Sequence, residues 1–84
     1  MTVLYFSTAW CGPCKMFKPV VQQVASETGT AVQYIDAENN PLAQTYQVTS
    51  VPTILVLDNM NNVAFRNSGV MGKPQLTTIL SRFT

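Results

Sequence analysis

Short apolar runs alternate along the chain with stretches of helical spacing, and the two periods mark its elements. Thr2-Val-Leu-Tyr-Phe-Ser7 is rich in β-branched and aromatic residues and predicts a buried strand. From Pro13 to about Thr28 the apolar positions fall at helical intervals, with Phe17, Val21, Val24 and Ala25 on one face and Lys18, Gln22 and Glu27 elsewhere. Pro13 suits a first helical turn, where its missing N–H deprives nothing of a partner. Pro19 lies inside the same helix and predicts a bend, and Gly29 fits its stop.

Ala31 to Asp36 reads as a second strand and Pro41 to Tyr46 as a short helix. Thr53-Ile-Leu-Val-Leu57 is a third strand, closed by Asp58-Asn59-Met60-Asn61-Asn62, whose Asn and Asp residues tolerate the positive φ of tight hairpins. Val63 to Asn67 is its hairpin partner. Lys73 to Phe83 closes the chain as a helix, with Leu76, Ile79, Leu80 and Phe83 at core-facing intervals. The order βαβαββα predicts an α/β fold with a four-stranded mixed sheet and helices on both faces. Residues 1–84, without repeat or low-complexity tract, read as a single domain.

Composition narrows the function. The chain is 46% hydrophobic, enough for a globule, although a chain this short buries only about 60% of its extended surface. Net charge is +1 with no basic block, so the electrostatic footprint of nucleic-acid binding is missing. Met1 runs into the apolar segment Val3 to Phe6 without a positively charged start, and the longest apolar stretch, Ile54 to Leu57, is far too short for a bilayer. The expectation is a cytoplasmic protein with no membrane partner. With 2 cysteines and no histidine, it is neither a disulfide-stapled scaffold nor a Cys-His hydrolase. No glycine-rich phosphate loop or nucleotide fingerprint is present, so no cofactor is expected and reducing electrons must come from a protein or thiol partner.

Both cysteines fall in Trp10-Cys11-Gly12-Pro13-Cys14, at the predicted start of the first helix. Cys-x-x-Cys beside a strand-helix-strand pattern is a dithiol redox motif. A thiol attacks as its thiolate, and the unpaired N–H groups and dipole of a helix N-terminus favour that charge at Cys11, with Lys15 adding positive charge one turn on. Cys11 is therefore assigned as nucleophile and Cys14, one turn deeper and more shielded, as the resolving thiol. A staple would gain only about 2 kcal/mol from so small a loop. A zinc site wants four ligands, and two thiols without histidine do not supply them, so no metal is expected.

The motif Trp10-Cys-Gly-Pro-Cys-Lys15, followed by Val51-Pro52-Thr53 ahead of an apolar strand, resembles the thioredoxin family. The likeness covers essentially the whole chain and extends to Pro19, Asp36 and Gly69. It implies a cis Val51–Pro52 bond against the cysteine pair, with the backbone of Val51 pairing with a substrate strand. It also implies that Trp10, Gly12, Pro13 and Gly69 line a flat apolar docking surface. Met16, Met60 and Met71 are read as packing or loop residues.

Three departures stand out. The chain starts directly on the active-site strand, without the extra N-terminal strand and helix of common thioredoxins, so the second strand is expected at a sheet edge. Thioredoxins carry a buried Asp six positions before the nucleophile, thought to help deprotonate the resolving cysteine, with a partner Lys. Here those positions are Tyr5 and Val32. Tyrosine is a poor base at neutral pH, so Tyr5 is read chiefly as core volume, with Cys14 activated by water, substrate or Lys side chains. The aromatic common three residues before the Trp is Ser7.

The resemblance implies a monomeric reductant of protein disulfides, recycled by a thioredoxin-reductase-like flavoprotein, with ribonucleotide reductase as an electron acceptor by family analogy. Gly-Pro between the cysteines is similar to the strongly reducing members, at about −270 mV for thioredoxin against about −200 to −230 mV for glutaredoxins. Two other readings stay open at this level. The short frame also suits a glutaredoxin-like protein fed by glutathione, although Ser68-Gly69-Val70-Met71 lacks the glycine pair and acidic residue that glutaredoxins use. A non-catalytic binding subunit, indifferent to loss of Cys11, is the third.

Overall fold

The computed structural model describes residues 1–83. Seven elements follow one another: β1 (Thr2–Ser7), α1 (Gly12–Thr28), β2 (Val32–Asp36), α2 (Leu42–Thr45), β3 (Thr53–Leu57), β4 (Val63–Ser68) and α3 (Lys73–Phe83). Each predicted element is present, with ends displaced by a residue or so. The strands form one mixed sheet in the order β2-β1-β3-β4. β1 runs parallel to β2, from Val3 opposite Val32 to Ser7 opposite Asp36, and antiparallel to β3. A parallel neighbour requires a crossover, which α1 supplies. The second strand is an edge, as expected, and β4 is the other.

The two central strands are apolar at nearly every position because both of their faces are covered. Period-two alternation divides them. Val3 and Tyr5 of β1, with Ile54 and Val56 of β3, face α1 and α3, where they meet Phe17, Val21, Val24, Leu76 and Leu80. Leu4, Phe6, Leu55 and Leu57 face the other way and are covered by Ala43 of α2, with Leu42, Tyr46, Val48 and Val51 packed alongside. Helices therefore cover both faces, though α2 is a single turn.

Leu76 and Leu80 are fully buried, whereas Ile79 and Phe83, predicted beside them in the core, are only half-buried. Phe83 still packs against the core cluster of that face, beside Phe65 with ring centroids 6.5 Å apart, whereas Ile79 does not. Helix α1 runs unbroken through Pro19 and stops at Gly29, whose φ of 68° and N–H bond to the Ala25 carbonyl make a left-handed cap. In the β3–β4 hairpin, Asp58 Oδ1 accepts from the N–H groups of Met60 and Asn62, and Asn61 takes a φ of 64°. Register shifts between Val56, opposite Phe65, and Leu57, opposite Val63, leaving Ala64 as a bulge.

Candidate active site

The C-terminal end of β1 delivers the chain to the dithiol. The Cys11 N–H donates to the Thr8 carbonyl at 3.3 Å, closing the turn between β1 and α1. Cys11 is the N-cap of α1 in an extended conformation, and its Sγ accepts the Cys14 N–H at 3.1 Å. A sulfur thus fills the capping role usually taken by a side-chain oxygen, and no acidic residue in the first turn competes for the helix end. One turn of helix brings the second cysteine back to the same face, and Cys11 and Cys14 are joined as a disulfide with Cα atoms 5.2 Å apart. Gly12 and Pro13 occupy the exposed first turn between them.

Both cysteines are nearly closed off in this disulfide state, Cys11 at 4% exposure and Cys14 at 2%. Cys14 is the more shielded of the two, as its depth along the helix implies, by a narrow margin.

Tyr5 lies beneath the pair with no solvent exposure, and its hydroxyl donates to the Cys14 carbonyl at 3.0 Å. Its ring packs against Phe17 at 6.0 Å and edge-on to Tyr34 at 5.7 Å. Burial, reinforced by Tyr34, pushes its pKa up to about 12. It keeps its proton at neutral pH and acts as core and anchor, in line with its reading as core volume.

A groove of about 370 Å³ opens between α1 and β2, lined by Ser7, Thr8, Cys14, Lys15, Lys18 and Asp36 among others. Lys15 is exposed there. The Lys18 ammonium lies 5.3 Å from the centre of the Tyr34 ring. On the other side, a groove of about 390 Å³ is lined by Thr8, Trp10, Ala37, Glu38 and the segment Val48 to Val51. Trp10 is 70% exposed, held by its Nε1–H donating to Glu38 Oε1 at 2.6 Å.

The Val51–Pro52 bond is cis. Pro52 is buried, its carbonyl accepts from the Gly69 N–H at 2.7 Å, and Thr53 Oγ1 donates to the Ser50 carbonyl. Gly69 holds a φ of 99°, which favours glycine. Of the residues expected on one docking surface, the second groove brings Trp10 and Val51 together, while Gly12, Pro13 and Gly69 line neither groove.

Three features escaped the sequence reading. These are the Glu38 latch on Trp10, the Tyr5 bond to the Cys14 carbonyl, and Thr8. Thr8 is 8% exposed, and its Oγ1 is buried with no hydrogen-bond partner among the described residues. Nothing in residue type or spacing marks it. Among the described residues no group of three or more His, Cys, Asp or Glu is placed to hold a metal, and no helix is long and apolar enough to cross a membrane.

A family model described as Thioredoxin matches residues 1–82. Thioredoxin of Mycobacterium tuberculosis is 39% identical over 79 residues, spanning 90% of this chain and 67% of that protein. A Mycobacterium leprae protein described as a bifunctional thioredoxin reductase/thioredoxin is 39% identical over 79 residues, 90% of this chain but 17% of the larger protein. A mutant thioredoxin from Halobacterium salinarum superposes with a TM-score of 0.90 at 32% identity, over 99% of this chain and 74% of its own.

Proposed function

The chain belongs to the thioredoxin family, and from that premise we propose how its parts move electrons. It is a thiol-disulfide oxidoreductase that reduces protein disulfides. Cys11 attacks a substrate disulfide as a thiolate, releasing one substrate thiol and forming a mixed disulfide. Cys14 then attacks Cys11, releasing the second thiol and leaving the oxidised pair. The observation that carries this reading is the Cys11–Cys14 disulfide at the N-terminus of α1, where the first sulfur already accepts the Cys14 N–H. A donor aimed at Sγ stabilises the same atom as an anion, and Lys15 adds a nearby positive charge. The substrate strand pairs with the backbone of Val51 beside Pro52, and the exposed Trp10 with Gly12, Pro13 and Gly69 completes the contact surface. Exposed apolar groups around a reactive centre support such docking.

Thioredoxins as a family accept electrons from thioredoxin reductase. A flavoprotein of that kind is the proposed donor here, and disulfide-containing proteins, ribonucleotide reductase among them by family analogy, are the proposed acceptors. The reaction is proposed to run in the cytoplasm, where dithiols are kept reduced, on a monomer whose residues 1–84 act as one domain.

Cys14→Ser tests the assignment. The variant is expected to accumulate a mixed disulfide through Cys11 that dithiothreitol releases, identified by mass spectrometry, while Cys11→Ser traps nothing and cannot reduce insulin. Equal trapping by both variants would overturn the division of roles. Turnover with NADPH and thioredoxin reductase, absent with glutathione alone, would separate the proposed donor from a glutaredoxin-like one.

A further inference from the structure

We propose that the Thr8 hydroxyl is the hydrogen-bond donor that stabilises the Cys14 thiolate as the mixed disulfide resolves. The inference rests on the reading of Cys14 as the resolving thiol and assigns the residue that helps it ionise.

Cys14 must give up a proton inside a nearly closed site, at 2% exposure, where a bare sulfur anion is costly without a donor. The groups around it can be taken element by element. Below, from β1, Tyr5 has spent its O–H on the Cys14 carbonyl. From β2, Tyr34 lies against Lys18. Asp36 is a carboxylate whose oxygens accept from the Glu38 N–H and the Asn39 amide, so it offers no donor and its charge opposes a thiolate. From α1, Lys15 and Lys18 are exposed and contribute through solvent. Thr8 remains. It lines the same groove as Cys14, is 8% exposed, and its Oγ1 is unpartnered.

A buried hydroxyl without a partner is destabilising in the state where it is found. In this disulfide state the sulfurs are weak acceptors, and the Thr8 hydroxyl is bonded to neither. When the bond opens and Cys14 becomes an anion, the sulfur becomes a strong one. The step balances simply. The Cys14 thiol releases its proton to solvent in the groove, and its Sγ attacks Cys11 Sγ. The bond from Cys11 to the substrate sulfur breaks, and the electron pair leaves with the substrate, which takes up a proton as a thiol. The two cysteines are oxidised to the disulfide and the substrate disulfide has been reduced. Thr8 donates to the Cys14 sulfur while it is anionic, and changes neither charge nor oxidation state.

Thr8→Val removes the hydroxyl at nearly constant volume, Thr8→Ala removes it without an added methyl, and Thr8→Ser keeps it. Two readings are taken: single-turnover decay of a mixed disulfide preloaded on Cys11 with a chromogenic aromatic thiol, and the pH profile of iodoacetamide alkylation of Cys14 in a Cys11→Ser background. In Thr8→Val and Thr8→Ala, decay at neutral pH is expected to slow roughly ten-fold, the loss expected when a hydrogen bond to a charged group is removed. The alkylation profile of Cys14 should move to higher pH, and Thr8→Ser should restore both. Unchanged decay and an unmoved profile would overturn the proposal, as would a rise in KM for protein substrates alone, which would assign the hydroxyl to the Trp10 and Val51 groove. A lower melting temperature with unmoved profiles would reduce Thr8 to packing. Trapping by Cys14→Ser is independent of all these outcomes, so the wider reading stands or falls separately.

Discussion

A tyrosine sealed from water resists ionisation, and Tyr5 ties that resistance to the dithiol. Its pKa is pushed from 10.0 to about 12 by burial first and by Tyr34 second, and burial raises Tyr34 as well. In the unfolded chain a tyrosine loses its proton near pH 10. Between pH 10 and about 12 the folded protein therefore holds more protons than the unfolded one. Stability is then complete below pH 10 and declines as pH rises through that window. Urea unfolding followed across alkaline pH should show this decline, and Tyr5→Phe should make it shallower. The same variant removes the Tyr5 hydroxyl's bond to the Cys14 carbonyl and should cost about 1 kcal/mol at neutral pH. A family carboxylate at this position would have served as a base. The tyrosine instead donates to the Cys14 carbonyl, and in the proposed mechanism the Cys14 thiol gives up its proton on the groove side, where Thr8 stands.

Among the elements, those with the strongest local signals are legible in the sequence alone. The apolar run of β3 and the helical stripe of α1, with Pro13 at its first turn and Gly29 past its last, needed no tertiary information. What stayed hidden depends on contacts distant in sequence. The φ of 55° at Gln47 is one case: no glycine marks it, and its carbonyl and that of Tyr46 are held by the Arg66 guanidinium from β4, at 2.7 and 2.6 Å. The Trp10 to Glu38 latch joins residues 28 apart and is similarly silent in sequence. The cis bond was legible through family resemblance, because most X-Pro bonds are trans and spacing alone argues against it. The α1 cap offers a clean test of a local rule. A Cβ built on Gly29 meets nothing within 4 Å, so Gly29→Ala is penalised by its φ of 68° alone. It should cost about 1–2 kcal/mol. Since about 1 kcal/mol moves the melting temperature of a domain this size by roughly 4–8 °C, thermal unfolding should register it readily. Insulin reduction at room temperature should be unaffected.

Over the whole molecule the sheet is guarded unequally. On one face α1 and α3 bury Val3, Tyr5, Ile54 and Val56 beneath two packed helices, while the other face relies on one turn of α2 and the connecting segment around it. The dithiol sits at the start of α1, so the two-helix face also sets the foundation of the active site. Leu80, with no exposure, lies where α3 closes this layer. Leu80→Ala should cost about 2–5 kcal/mol, the transfer of the lost atoms plus the cavity they leave. Small domains are stable by only about 0.05–0.15 kcal/mol per residue, so that loss is a large share of the total. Chemical denaturation should show a markedly lower midpoint with an unchanged slope, the sign of lost stability without altered compactness. Met60→Ala, at the 80% exposed tip of the hairpin, should stay within about 0.5 kcal/mol. If the α3 layer supports the site as its packing implies, Leu80→Ala should also open the helix that carries Cys14. The reduced protein should then alkylate faster at Cys14 well below its melting temperature, whereas in Met60→Ala that rate should match the parent chain.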